Sequence, residues 1–133
     1  ADSNLKNPEL IYQIHKDYID AGSSYITTNT FRTTPRAYRK TKLSQLDAIE
    51  KARESLKTAV KMAKKAASDK VKVLGSIAPL EDCYQPKLFP GEDVSGKEFN
   101  QIGLALITFA TKENVFKKQL ALFVQNDVYA SVA

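Results

Sequence analysis

Few side chains in this 133-residue sequence can do chemistry. It contains a single cysteine, Cys83, and a single histidine, His15. A thiolate is both a nucleophile and a soft metal ligand, but zinc takes about four ligands. Cys83 has no second cysteine or nearby histidine to share a metal with, so it reads as a free loop thiol. His15 follows Ile14 on a helical pattern, where packing or a local hydrogen bond explains it better than proton transfer. Glu81 and Asp82 form an acidic pair just after an apolar run, a position suited to a general base; capping of a turn is the simpler account. Arg32, Arg36, Arg39, Lys40 and Lys42 crowd one short segment with no acid among them. Such a set suits a carboxylate or phosphate group, or else is a solvated loop. The stretch "SYITTNTFRTTPR", residues 24 to 36, begins like a buried strand and ends polar. No phosphate-binding glycine loop, nucleophile elbow or paired-cysteine motif is present.

The elements around these residues follow from spacing and punctuation. Asn7-Pro8-Glu9 predicts a helix start, with Asn7 as the cap. Leu10, Ile11, Ile14, Tyr18 and Ile19 then recur at helical spacing, and Ala21-Gly22 ends the run. A strand is expected over 24 to 31, followed by a loop to about 43. Ser44 should open a second helix with an apolar stripe of Leu46, Ile49, Ala52, Leu56, Ala59, Val60, Ala63 and Ala67, supported by an Asp47–Lys51 pair. Residues 71 to 80, "VKVLGSIAPL", predict a second strand, and a loop follows. Residues 102 to 110 fit helix or strand equally. A third helix is expected over 115 to 127, with the last residues starting a strand. Helix and strand alternate, which argues for parallel strands joined by crossover helices.

The length suits one domain, and 43% hydrophobic with 26% charged residues is the composition of a globular protein. No apolar run approaches the roughly 20 residues of a membrane helix, and the first residues do not pattern as a signal peptide. One cysteine fits a reducing compartment, and cytoplasm is the expected location. The net charge of +5 is spread along the chain without a stacking platform of aromatics, so neither nucleic acid nor membrane is expected as a partner.

"NPELIYQIHKDYIDAGSSYITTNTFRTTPRAYRK", followed by "VLGSIAPLEDCYQP", resembles the homocysteine S-methyltransferase family. The similarity spans roughly residues 6 to 90 and is weaker from about 112 to 128. It implies an α/β fold, a partial (β/α)8 barrel of about three β/α units with parallel strands, so that 1–133 is a single partial barrel domain. Active sites of such barrels sit at the C-terminal ends of the strands. With Ile26 packed outward on the helices, alternation turns Thr27, Asn29 and Phe31 inward, and likewise Ser76 and Ala78. Asn29, Phe31 and Ser76 are therefore the expected substrate-binding residues.

The resemblance also implies homocysteine and a methyl donor as partners, and methionine as the product. Zinc in the intact family is held by three cysteines, one late in the barrel and two adjacent near its end. This sequence stops short of both positions. It also lacks the glycine-rich first strand with its acidic residue, and the fourth strand's glutamate. No metal ligand and no catalytic residue is assigned here, and this chain is expected to hold no cofactor. Residues 101 to 112, "QIGLALITFATK", read as an atypical insertion. A second reading makes the chain a noncatalytic truncated paralogue that self-associates through open strand edges.

Overall fold

Pro8 opens a helix, as its fixed φ allows, but Asn7 does not cap it with its side chain. Asn7 also terminates a short preceding helix that the sequence pattern did not reveal. Its N–H donates to the Ser3 carbonyl at 2.9 Å, and its own carbonyl accepts from Ile11 at 3.3 Å. Backbone groups thus serve both helix ends.

The structure, a computed structural model, describes residues 2–78, 80–81, 86–112 and 122–124. In order, the elements are α1 (Ser3–Lys6), α2 (Pro8–Asp20), β1 (Tyr25–Thr27), α3 (Pro35–Arg39), α4 (Gln45–Ala67), β2 (Lys72–Ile77), a 3-10 turn (Pro86–Leu88), α5 (Glu92–Lys112) and β3 (Leu122–Val124). The three strands form a parallel sheet in the order β1-β2-β3. Alternation of helices and parallel strands is as expected. The first two predicted strands are shorter than the sequence suggested, and the expected loop over 32 to 43 contains α3.

The stop of α2 is written locally. Gly22 takes φ +99°, where a side chain would be strained. That turn lets Gly22 N–H reach the Ile19 carbonyl at 2.9 Å and Ser23 N–H reach Tyr18 at 3.0 Å, the paired bonds of a Schellman stop. The predicted apolar stripe of α2 is really two faces. Ile11 and His15 are buried and Ile19 is partly buried, at i, i+4 and i+8, on the side toward α4. Leu10, Ile14 and Tyr18 repeat one position earlier and are exposed.

α4 starts as expected. Ser44 Oγ accepts the Asp47 N–H at 3.1 Å and donates to the Asp47 carboxylate at 2.7 Å, satisfying one of the free amides of the first turn. Its buried stripe is mainly alanine: Ala48, Ala52, Ala59, Ala63, Ala66 and Ala67, with Leu56, Val60, Met62 and Ser55. Leu46 and Ile49, assigned to that stripe from the sequence, are 76% and 43% exposed. Small side chains let α2 and α3 approach α4 closely, and Leu46 and Ile49 lie off that face. Lys51, expected to pair with Asp47, reaches Asp2 at 3.1 Å and lies over the Tyr38 ring at 5.2 Å.

Ile26 meets Ala63 and Ala67 of α4, with Ile19, Val71 and Val73 around them. The strand therefore packs on the helices through Ile26, as predicted. A second cluster joins Tyr38, Ala48 and Ala52, with Leu43 against it.

The third β/α unit comes earlier than the pattern indicated. Residues 92–112 form one helix, which settles 102–110 as helical. Residues 122–124, placed in a helix by periodicity, form β3 instead, with Gly75 opposite Leu122 and Ile77 opposite Val124. Leu-Phe-Val suits a strand, and pairing with β2 overrides a helical period in so short a segment. The rest of the expected 115–127 helix and the terminal strand lie outside the described residues. Among the described residues, no helix is long and apolar enough to cross a membrane.

Candidate functional site at the strand ends

The polar ending of β1 has a specific structural cause. β1 pairs with β2 in the register Tyr25–Lys72, Ile26–Val73 and Thr27–Leu74, flanked by Lys72 N–H to the Ser24 carbonyl at 3.1 Å and Thr28 N–H to the Leu74 carbonyl at 2.8 Å. Continued with the same period, the ladder would next join Ser76 N–H to the Thr28 carbonyl, and Thr30 N–H to the Ser76 carbonyl. Neither bond forms. Thr30 N–H turns back to the Thr28 carbonyl at 2.8 Å, so the chain bends away.

Side-chain hydroxyls replace the missing ladder. Thr30 Oγ1 donates to the Ser76 carbonyl at 2.6 Å, and Ser76 N–H is shared between Thr28 Oγ1 and Thr30 Oγ1, each at 3.3 Å. A hydroxyl has one hydrogen. Thr30 uses its own on Ser76, so in the 2.7 Å contact between the two hydroxyls Thr28 is the donor. Both threonines are buried, Thr30 to 1% exposure. Valine at Thr30 would leave the part-buried Ser76 carbonyl without its donor.

The bend carries the chain across the end of β2. The Phe31 carbonyl accepts the Ala78 N–H at 2.8 Å, and Thr33 N–H donates to Thr30 at 3.1 Å. Thr34 then caps α3 by accepting the Ala37 N–H at 3.1 Å. Asn29, Phe31 and Ser76 thus lie at the same C-terminal end of two adjacent strands. Register puts Leu74 with Thr27, so Ser76 and Ala78 share the face of the sheet away from Ile26. Asn29 is exposed, and one hydrogen of its amide is engaged: Nδ2 donates to Asn4 Oδ1 at 2.9 Å. Asn4, unmarked by any sequence signal, is fully buried.

The basic segment forms an internal tie. Arg36 Nη1 donates to Glu81 Oε1 at 2.6 Å, while its Nε and Nη2 grip both oxygens of Glu98 on α5. Lys40 holds the other Glu81 oxygen at 2.7 Å. The side chains of Arg36, Glu81 and Glu98 are each less than one-third exposed. Lys40, then Arg36, hold the Glu81 carboxyl below the usual carboxylate range. Glu98, then Glu81, push the Arg36 guanidinium still further toward its charged form. Arg36 and Lys40 therefore engage carboxylates of the chain itself, and Glu81 is an ion-pair partner. Glu81 also adopts φ +64°, an unusual backbone conformation for a residue with a side chain.

Among the described residues there is no donor set for a metal ion. A three-thiolate site cannot be built from one cysteine, and among the described residues no three His, Cys, Asp or Glu side chains cluster. Cys83 and Asp82 lie outside the described residues. His15 is held between helices, with Nε2 buried and without a hydrogen-bond partner. Burial depresses its pKa below the ordinary 6.5. A group whose folded pKa is lowered this way favours folding above its unfolded pKa and opposes it below. Stability is thus expected to fall as pH drops below 6.5. His15→Leu should flatten that dependence in urea titrations from pH 7 to pH 5, roughly the window where an unperturbed imidazole charges; an unchanged slope would show that His15 does not carry it.

The sequence model for homocysteine S-methyltransferase matches residues 1–132. This chain belongs to the homocysteine S-methyltransferase family. The match includes the region of α5 and β3, beyond the motifs from 6 to 90 that carry the resemblance. It also runs through residues 101 to 112, which continue α5 without a break.

Proposed function

We propose that this chain forms part of a (β/α)8 barrel that methylates homocysteine, and that the ends of β1 and β2 contribute to its substrate mouth. The observation that carries this reading is the family match over 1–132, on a chain whose Asn29, Phe31 and Ser76 gather at one end of a parallel sheet. In the reaction, a bond forms between the homocysteine sulfur and the methyl carbon as the donor's bond to that carbon breaks. The attacking atom belongs to the substrate, so the task of these residues is to hold and orient it. Phe31 offers an apolar surface to the aliphatic part of homocysteine, and Asn29 and Ser76 offer hydrogen bonds to its polar groups. Methyl transfer and zinc are assigned to no described residue, and we infer that the isolated chain binds no stoichiometric zinc. The lone cysteine favours a reducing compartment, and cytoplasm is the location that follows.

A second reading has its own support. The outer edge of β1 is unpaired among the described strands, and Leu10, Ile14 and Tyr18 on nearby α2 are exposed. An edge and an apolar stripe together favour self-association.

Calorimetric titration of the chain with L-homocysteine tests the first reading. Binding is expected, weakened about tenfold by Phe31→Ala, the loss of roughly one good contact. No heat up to about 1 mM ligand, with a chain that sediments as a stable dimer, would replace it with the second.

A further inference from the structure

Asn4 is a fully buried polar side chain with both amide hydrogens and its oxygen engaged, and nothing in the substrate reading accounts for it. It sits on α1, fully buried, 25 residues from Asn29 in sequence. Its Nδ2 donates to the Asn29 carbonyl at 2.8 Å and to Ser55 Oγ at 3.1 Å, using both hydrogens. Its Oδ1 accepts from Asn29 Nδ2 at 2.9 Å. A backbone carbonyl can only accept, which fixes the orientation of the Asn4 amide. Oδ1 then faces Asn29, and that in turn requires Asn29 to present its NH2. One side chain thereby holds both the backbone and the amide plane of Asn29, at the point where β1 leaves its ladder. Ser55, fully buried on α4, anchors the arrangement to the longest helix.

We propose that Asn4 is a positioning residue: it sets the direction in which Asn29 presents its amide to the ligand, and so tunes ligand affinity from α1. This rests on the reading of Asn29 as substrate-binding. An apolar residue would fill the space at Asn4 but could not hold an amide plane. A buried amide with every donor used is the arrangement that specifies one orientation.

Nitrogen-15 NMR of the full chain tests it. In wild type, cross-peaks should join the side-chain amides of Asn4 and Asn29, and their absence from an otherwise assigned spectrum overturns the proposal without any variant. In Asn4→Ala the Asn29 NH2 signals should shift and exchange with solvent about tenfold faster, and the homocysteine Kd should rise about tenfold, as for loss of one or two hydrogen bonds. Ser55→Ala leaves both Asn4–Asn29 bonds in place, so it should lower stability while moving the Asn29 NH2 signals far less. Equal effects of the two variants on those signals would reduce Asn4 to a packing residue and overturn the proposal. So would a Kd unchanged in Asn4→Ala. Failure of wild type to bind homocysteine sinks the substrate reading instead, and the amide signals then decide whether Asn4 orients Asn29.

Discussion

Replacing Thr30 with valine is expected to destabilise the chain by about 2 kcal/mol, the cost of leaving a part-buried carbonyl without its donor. Valine matches threonine in shape, so almost no packing changes. What disappears is the hydroxyl that donates to the Ser76 carbonyl, shares the Ser76 N–H and accepts from Thr28. Thr28→Val removes less, because Thr30 keeps its bond to the Ser76 carbonyl and still accepts the Ser76 N–H. A loss of about 1 kcal/mol is expected there. Urea denaturation at pH 7 checks the ordering, read from a lowered midpoint at constant m-value. Equal losses for the two variants, or a Thr30→Val loss below about 0.5 kcal/mol, would mean that the hydroxyls do not stand in for the ladder.

Arg36→Met should cost a similar amount at neutral pH, about 2 kcal/mol. Exposed ion pairs contribute about 0–1 kcal/mol, and breaking a fully buried pair costs about 3–5. Arg36 lies between, with its side chain 28% exposed and that of Glu81 14%. Methionine keeps most of the aliphatic stem but leaves Glu98 without its two-point partner and Glu81 with Lys40 alone. The pH dependence separates charge from packing. Glu81 has a depressed carboxyl pKa in the folded chain, so its contribution is present above its ordinary value of 4.5 and is lost as pH falls through the folded value. The difference between wild type and Arg36→Met should therefore shrink in acid. A difference as large at pH 3 as at pH 7 would show that the guanidinium acts by packing. Arg36→Lys should not restore wild-type stability, since an ammonium cannot span both oxygens of Glu98 and still reach Glu81.

These two sites also show where sequence reasoning stopped. The strand over 24 to 31 was expected from the sequence, and the parallel pairing of Tyr25–Thr27 with β2 agrees with a strand there. The role of its threonines was not readable, because residue type says only that threonine suits strands. That Thr30 bonds a carbonyl 46 residues away depends on where β2 lies. The cluster of cations was visible, but Glu98, 62 residues from Arg36, was not a candidate for anything. On α2, helical spacing identified the apolar positions without saying which of two adjacent stripes would be covered. The answer lies in the alanine face of α4.

What the sequence determined by itself is whatever closes within a few residues. Ser44 reaches Asp47, Gly22 turns the end of α2, and Pro8 starts a helix, because each involves bonds or torsions inside a single turn. The alternation of helix and parallel strand was also written there, in the recurring period of apolar residues. The tertiary structure alone decided which apolar faces are buried, that 122–124 pairs as a strand, that Arg36 joins α3 to α5, and that Asn4 holds Asn29. Those outcomes depend on groups brought together from distant parts of the chain, and a local pattern carries no record of its distant partner.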